Sequence, residues 1–223
     1  SFETTDDEPF TGYVQGSVIK APVSTWTDAE KTAVDVVSRY PALEPYFSMS
    51  AEERISPDEQ GFIRRWGLCK PIDHPLNTNI VFVDSYVREH LDTGWYKEEI
   101  EVAHTLDSKL FNVKLYRYAV GTETGRYGII FRMMTVIDVP EDIENVRLAV
   151  GSNSASMWWI DGEEALILSG DRRMVMDDGA SKRLTLKKGR HVITGSVING
   201  PGMSDFCLRF IDEKGNPVVN YKI

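Results

Sequence analysis

From Phe62 onward, apolar residues recur with a period of two in short segments, each closed by a turn signal. Nothing else in the chain restricts its fold as strongly. Candidate strands are 62–69, 100–106, 112–119, 127–136, 145–152, 156–160, 164–169, 181–186, 189–199 and 206–212. Between them lie Val139-Pro140-Glu141-Asp142, Asp161-Gly162, Asp177-Asp178-Gly179, Lys187-Lys188-Gly189, Asn199-Gly200-Pro201-Gly202 and Lys214-Gly215-Asn216-Pro217. Short strands spaced about 8–12 residues apart by turns define a sandwich or barrel. No helical period alternates with them, which argues against a parallel α/β sheet. The register is readable in places. Leu148 and Val150 share one face, as do Ile193, Gly195 and Val197. Phe206, Leu208 and Phe210 point to the core, with Cys207 and Arg209 turned away.

The first 60 residues differ. Residues 1–21, with a brief β-like patch at 13–19, read as a linker or an edge strand. Residues 24–55 carry helical spacing, with Thr27 and Glu30 forming a capping box before Ala29, Ala33, Val36 and Val37. Pro41 and Pro45 stop that helix, and Ser50 caps a shorter one at Ala51-Glu52-Glu53-Arg54. The expected organisation is therefore an N-terminal extension at 1–60 and an all-β antiparallel sandwich at 61–223.

Charge and composition exclude several functions. The formal net charge of −9 opposes nucleic acid and anionic lipid, and slows encounter with acidic polymers. Neutral polysaccharides meet no such penalty. No apolar run approaches the ~20 residues of a membrane helix, so no membrane insertion is expected. The acidic, polar residues 1–9 suit a mature chain.

Catalytic signatures are missing. No G-x-S-x-G elbow occurs, and His74, His90, His104 and His191 share no metal-ligand spacing. The acidic doublets Glu98-Glu99, Glu163-Glu164 and Asp177-Asp178 read as solvated turn residues. No phosphate-binding glycine motif succeeds a strand. The chain is expected not to be an enzyme and to need no cofactor.

Sugar binding asks for aromatic faces and planar polar partners. Trp66 occupies a core position. Trp158 and Trp159 point to opposite faces of one strand, which leaves one of them in the core and the other exposed or at a loop base. Trp95-Tyr96 comes directly after the loop signal Asp92-Thr93-Gly94 and is the better exposed candidate. Arg172 and Arg173 fall in a long loop, and Asn199 heads another. The candidate ligand-binding set is therefore Trp95, Tyr96, Trp158, Arg172, Arg173 and Asn199.

One set of strings carries a resemblance. They are Ala149-Val150-Gly151-Ser152-Asn153, Met157-Trp158-Trp159-Ile160-Asp161-Gly162, Leu184-Thr185-Leu186-Lys187-Lys188-Gly189, and Phe206-Cys207-Leu208-Arg209-Phe210 with Gly215-Asn216-Pro217. Upstream, Arg64-Arg65-Trp66-Gly67-Leu68-Cys69-Lys70-Pro71-Ile72 looks like the first strand of the same module, and Val81-Phe82-Val83-Asp84-Ser85-Tyr86 looks like the module's next segment. Together they resemble the galactose-binding-like jelly-roll domains attached to bacterial polysaccharide-degrading enzymes, carbohydrate esterases and glycoside hydrolases among them. Asp161 and Arg190 stand where such modules usually have Asn.

The resemblance implies a secreted, periplasmic or cell-surface accessory domain. Its partners would be a polysaccharide or oligosaccharide and a catalytic domain of the same or an associated protein. The alternative is a structural spacer that packs on the catalytic domain and binds no sugar. Such sandwiches often hold a structural calcium, for which Asp177, Asp178 and a backbone carbonyl offer oxygens. In jelly-roll modules the terminal strands often neighbour each other. Cys69 and Cys207 are then either two free thiols or one long-range disulfide.

Overall fold

The computed structural model describes residues 13–14, 17–18, 53–73, 83–98, 101–119, 128–199 and 204–223. Within 13–19, strands β1 (Tyr13–Val14) and β2 (Ser17–Val18) pair with each other as a hairpin. The expected helices lie outside the described residues, except for the last two positions of the second, Glu53 and Arg54, which are not helical.

The remainder is a two-layer antiparallel sandwich. Its strands are β3 (Arg65–Cys69), β4 (Ile72–Asp73), β5 (Val102–Asp107), β6 (Val113–Lys114), β7 (Ile129–Val139), β8 (Ile143–Ser152), β9 (Ser156–Ile160), β10 (Glu163–Leu168), β11 (Gly179–Ala180), β12 (Leu184–Leu186), β13 (Gly189–Asn199) and β14 (Asp205–Ile211). A seven-stranded sheet runs β10-β9-β13-β7-β3-β5, with β4 also on β7. A five-stranded sheet runs β11-β8-β14-β6, with β12 also on β8. The chain crosses between layers at both ends, as the alternating turn signals require.

The core between the sheets follows the expected register: Leu148 and Val150, Ile193 and Val197, and Phe206, Leu208 and Phe210 all face inward. Trp66 and Trp158 meet Phe206 there with ring centroids 5.0 and 5.1 Å away, and the Trp66 indole donates to the Ile63 carbonyl at 2.8 Å. Gly195 makes room for this cluster, because a Cβ at that position would overlap the Trp158 ring. The Asp161-Gly162 turn has both residues at positive φ (50° and 82°), as a tight two-residue hairpin demands.

Two elements depart from the pattern. The expected strand 112–119 keeps only β6 and then tightens into a 3-10 turn, Leu115–Tyr118. Its alternation is real, but Leu115 is drawn fully into the core and the chain curls to accommodate it. A helix, α1 (Asp84–Leu91), lies where no helix was expected. It is only eight residues long and buries only Val87 and Leu91, too brief a period to stand out.

Residues 53–60 join the sandwich rather than standing apart. Ile55 and Ile223 exchange both backbone hydrogen bonds, at 3.1 and 2.8 Å.

Candidate functional site

The six expected ligand-binding residues do not share a surface. Trp95 and Tyr96 form a 3-10 turn (Trp95–Lys97) in which they are 1% and 3% exposed. Their expected exposure is corrected. The Asp92-Thr93-Gly94 loop is the exit of α1, so the turn after it is carried onto the same apolar layer as Val87 and Leu91. The Tyr96 ring sits 5.1 Å from that of Trp159, and the Arg132 guanidinium lies 5.3 Å above the Trp95 ring. Burial pushes the Tyr96 hydroxyl up to about 12.

Trp158 lies in the central core and Trp159 in the outer apolar layer, both buried. Of the expected alternatives for the second tryptophan, exposed or at a loop base, exposure fails because the sheet is covered on both sides. Arg172 is also buried. It is paired with the buried Asp178, and it donates to the Ser169 carbonyl at 2.7 and 3.1 Å. Asn199 is buried and accepts from the Ser204 hydroxyl. Arg173 alone of the six faces solvent. Only Trp95 and Tyr96 are in contact, at 5.7 Å between rings.

The loops at this end of the sandwich are tied to one another. Asp205 accepts from the Asn112 amide at 2.6 Å and the Asn153 amide at 2.7 Å, while burial holds its carboxyl above the usual range. Asn153 Oδ1 accepts from the Met174 backbone at 2.7 Å. Asp177 and Asp178 each face an arginine, Arg209 and Arg172 respectively. Arg209 takes both Asp177 oxygens and Arg172 takes Asp178 Oδ2. Among the described residues no group of three or more His, Cys, Asp or Glu could hold a metal.

The cysteines do not pair. Cys69 points out of the seven-stranded sheet and Cys207 out of the five-stranded one, so the whole sandwich separates them. Burial raises their thiols to about 11 and about 12, far from thiolate character at neutral pH. His191 is buried with both ring nitrogens engaged, one by Asp161 at 2.8 Å and the other by the Lys187 carbonyl at 2.7 Å. Glu164 is bound by Arg88 at 2.7 Å.

The opposite end holds a groove. It is open, about 820 Å³, and lined by Arg54, Ser56, Asp138, Val139, Pro140, Lys188, Gly189, Arg190, Val219, Asn220, Tyr221 and Lys222. Four chain segments build it, the first supplying Arg54 and Ser56. The end of β7 supplies Asp138 and Val139, the start of β13 supplies Gly189 and Arg190, and residues 219–222 form the fourth wall. Asp138 is directly opposite Arg190 on β13 and bridges Lys222 on its other side. Residues opposite one another across antiparallel strands share a face, so all three side chains start from the outer face. The Asp138 carboxylate takes Arg190 Nε at 2.7 Å and Arg54 Nη1 on its other oxygen.

Sequence reasoning misses this groove. Taken alone, Lys187-Lys188-Gly189 and Arg190 carry only turn chemistry. The local signal is the basic character of that turn; its meeting with Arg54 and Lys222 is made only by the fold.

The site and fold define a β-sandwich with one basic end groove. No protein-family profile and no curated protein matches the chain. Among solved structures, a PA14 sugar-binding domain from an RTX adhesin aligns at TM-score 0.42 and 10% identity, over 73% of this chain and 95% of that one. An anti-sigma factor domain-containing protein aligns at TM-score 0.41 and 8% identity, over 73% of this chain and 46% of that one. A β-glucosidase from Kluyveromyces marxianus aligns at TM-score 0.39 and 11% identity, over 86% and 21%. The chain thus spans less than half the length of the second protein and about a fifth of the third.

Proposed function

We propose that this chain is a non-catalytic carbohydrate-binding or accessory module of a secreted polysaccharide-degrading enzyme, with the end groove as its glycan site. The observation that carries this reading is the lining of that groove. Exposed Pro140 and half-exposed Val219 give apolar surface for sugar C–H patches. Arg54, Arg190 and Asn220 give planar donors for hydroxyl pairs. Apolar surface beside convergent polar groups is the common composition of small-ligand sites. Among the described residues, the engaged histidine His191, the buried thiols and the arginine-bound Glu164, Asp177 and Asp178 support the non-catalytic reading. Secretion rests on the resemblance alone.

The test is calorimetry of the chain against neutral and acidic plant oligosaccharides. Binding to at least one is expected, with loss in Arg190→Ala. No heat with any of them would remove the binding function. Turnover of a chromogenic acetate by the isolated chain would overturn the non-catalytic assignment.

A second reading, a spacer that packs on a catalytic domain, is favoured by one observation. Val175 and Met176 are adjacent and exposed (37% and 49%) on the segment outside the five-stranded sheet.

A further inference from the structure

Resting on the glycan-site reading above, we infer that the groove selects polysaccharides bearing carboxylates on successive sugars, uronate chains, rather than neutral ones. The chain as a whole is acidic, at −9, yet the groove reverses that sign. Arg54, Lys188, Arg190 and Lys222 line it, and Asp138 is the single carboxylate among the described lining residues. That carboxylate is shared between two guanidiniums. The sharing leaves a surplus of positive charge among the described lining residues. Arg54 feels the surplus: burial and the neighbouring Arg190 hold its guanidinium below the usual range.

The arrangement also favours a polymer. Arg190 on β13 and Lys222, in an isolated bridge, pair with Asp138 from opposite sides, so the backbones that carry the two cations lie about 10 Å apart, two strand spacings. Lys188 is exposed at the rim, and Lys222 is exposed while reaching Ser56 Oγ at 2.7 Å. One anionic ring meets one flank. A chain with an anion on each ring meets both, and the apolar surface of Pro140 and Val219 takes the ring faces between them.

Local charge overrides net charge here because screening is short. At physiological salt the field of distant surface acids decays within ~8 Å, while cations lining a groove act at contact.

The experiment is calorimetry with oligogalacturonate, its fully methyl-esterified form, a neutral xylo-oligosaccharide and a sulfated oligosaccharide, all with EDTA present. Each is run at ionic strengths of about 20 mM and about 0.5 M. The acid form is expected to bind, with the trimer well above the monosaccharide. Its methyl ester should bind at least about tenfold more weakly at low salt, a difference that shrinks at high salt. Lys188→Ala with Lys222→Ala should cost about tenfold for the acid form and leave the ester unchanged. Both lysines are exposed, and an unaltered melting temperature confirms that the variant folds.

Equal binding of acid and ester would overturn charge selection and leave the glycan site standing. Binding of the xylo-oligosaccharide alone would do the same. Equal binding of the sulfated chain would overturn the commitment to carboxylate. Silence with every glycan would overturn the glycan site itself, and this inference with it.

Discussion

The outer face of the seven-stranded sheet is covered by an apolar layer, whereas the outer face of the five-stranded sheet is covered by a charged strap. On the first, Val87 and Leu91 of α1 and the Trp95-Tyr96 turn lie on Trp159, Met157 and Ile167. On the second, residues 169–178 cross the sheet, fixed by Arg172 to Asp178, by Asp177 to Arg209 and by Cys207 against Met174. The apolar cover gains free energy simply by excluding water. The charged cover must recover the desolvation of each ion through its partner, so it holds only while every pair is complete. One side of the molecule depends on filled apolar volume, and the other does not tolerate a missing charge.

The largest effects test that contrast directly. Trp95→Ala and Asp178→Ala should each cost about 3–5 kcal/mol in urea unfolding, the first by cavity formation and the second by stranding a buried guanidinium. The two losses should differ in how they are repaired. Replacing both ions with apolar residues, Arg172→Met with Asp178→Leu, should restore most of the stability. No single partner change should rescue Trp95→Ala. If the double ion replacement is as unstable as Asp178→Ala, the strap is not held by charge balance.

The same contrast explains how much of the fold was legible. Where one face of a strand is polar, alternation is clean, and β14 is the case: Phe206, Leu208 and Phe210 inward, Cys207 and Arg209 outward. Where both faces are apolar, alternation vanishes. β9 is buried at all five positions, so the sequence could not show that Trp158 and Trp159 are both enclosed. The cover itself, α1 and the turn after it, is too short to announce itself by period. The candidate site failed for a related reason. Side-chain type alone favours aromatics and arginines, but Arg172 stays charged because Asp178 six residues on neutralises it inside the protein. The groove depends on residues from 54 to 222 meeting, a juxtaposition that no local spacing encodes.

A middle-sized effect probes how closely the strap lies on its sheet. Gly151 sits under the Val175 carbonyl, and a Cβ there would overlap it and approach Cys207 Sγ at 3.3 Å. Gly151→Ala should cost about 1–3 kcal/mol by overpacking and lift the strap. Labelling by a thiol reagent at neutral pH should then reach Cys207 faster, while Cys69, under the apolar layer, keeps its slow rate. Equal acceleration of both thiols would mean global opening, and the two covers would not be independent.

The smallest effect is a difference in the sign of pH dependence between the two sheets. Asp107 on β5 is held below the usual carboxylate range, first by its hydrogen bond from Arg65 and despite some burial. Its stabilising share is complete above its unfolded value near 3.8 and is lost as pH falls through the lower folded value. Asp205 on β14 is held above that value by burial, only partly offset by Asn112. The folded state keeps its proton longer, so its contribution declines as pH rises from 3.8 through the folded value. The gap in urea midpoint between the wild type and Asp107→Asn should therefore widen with rising pH, and the gap between the wild type and Asp205→Asn should move the other way. Because Asp107 is half exposed and screened, its slope should flatten in high salt more than that of the less exposed Asp205. Parallel slopes in the two variants would erase the electrostatic distinction between the sheets and leave only the difference in what covers them.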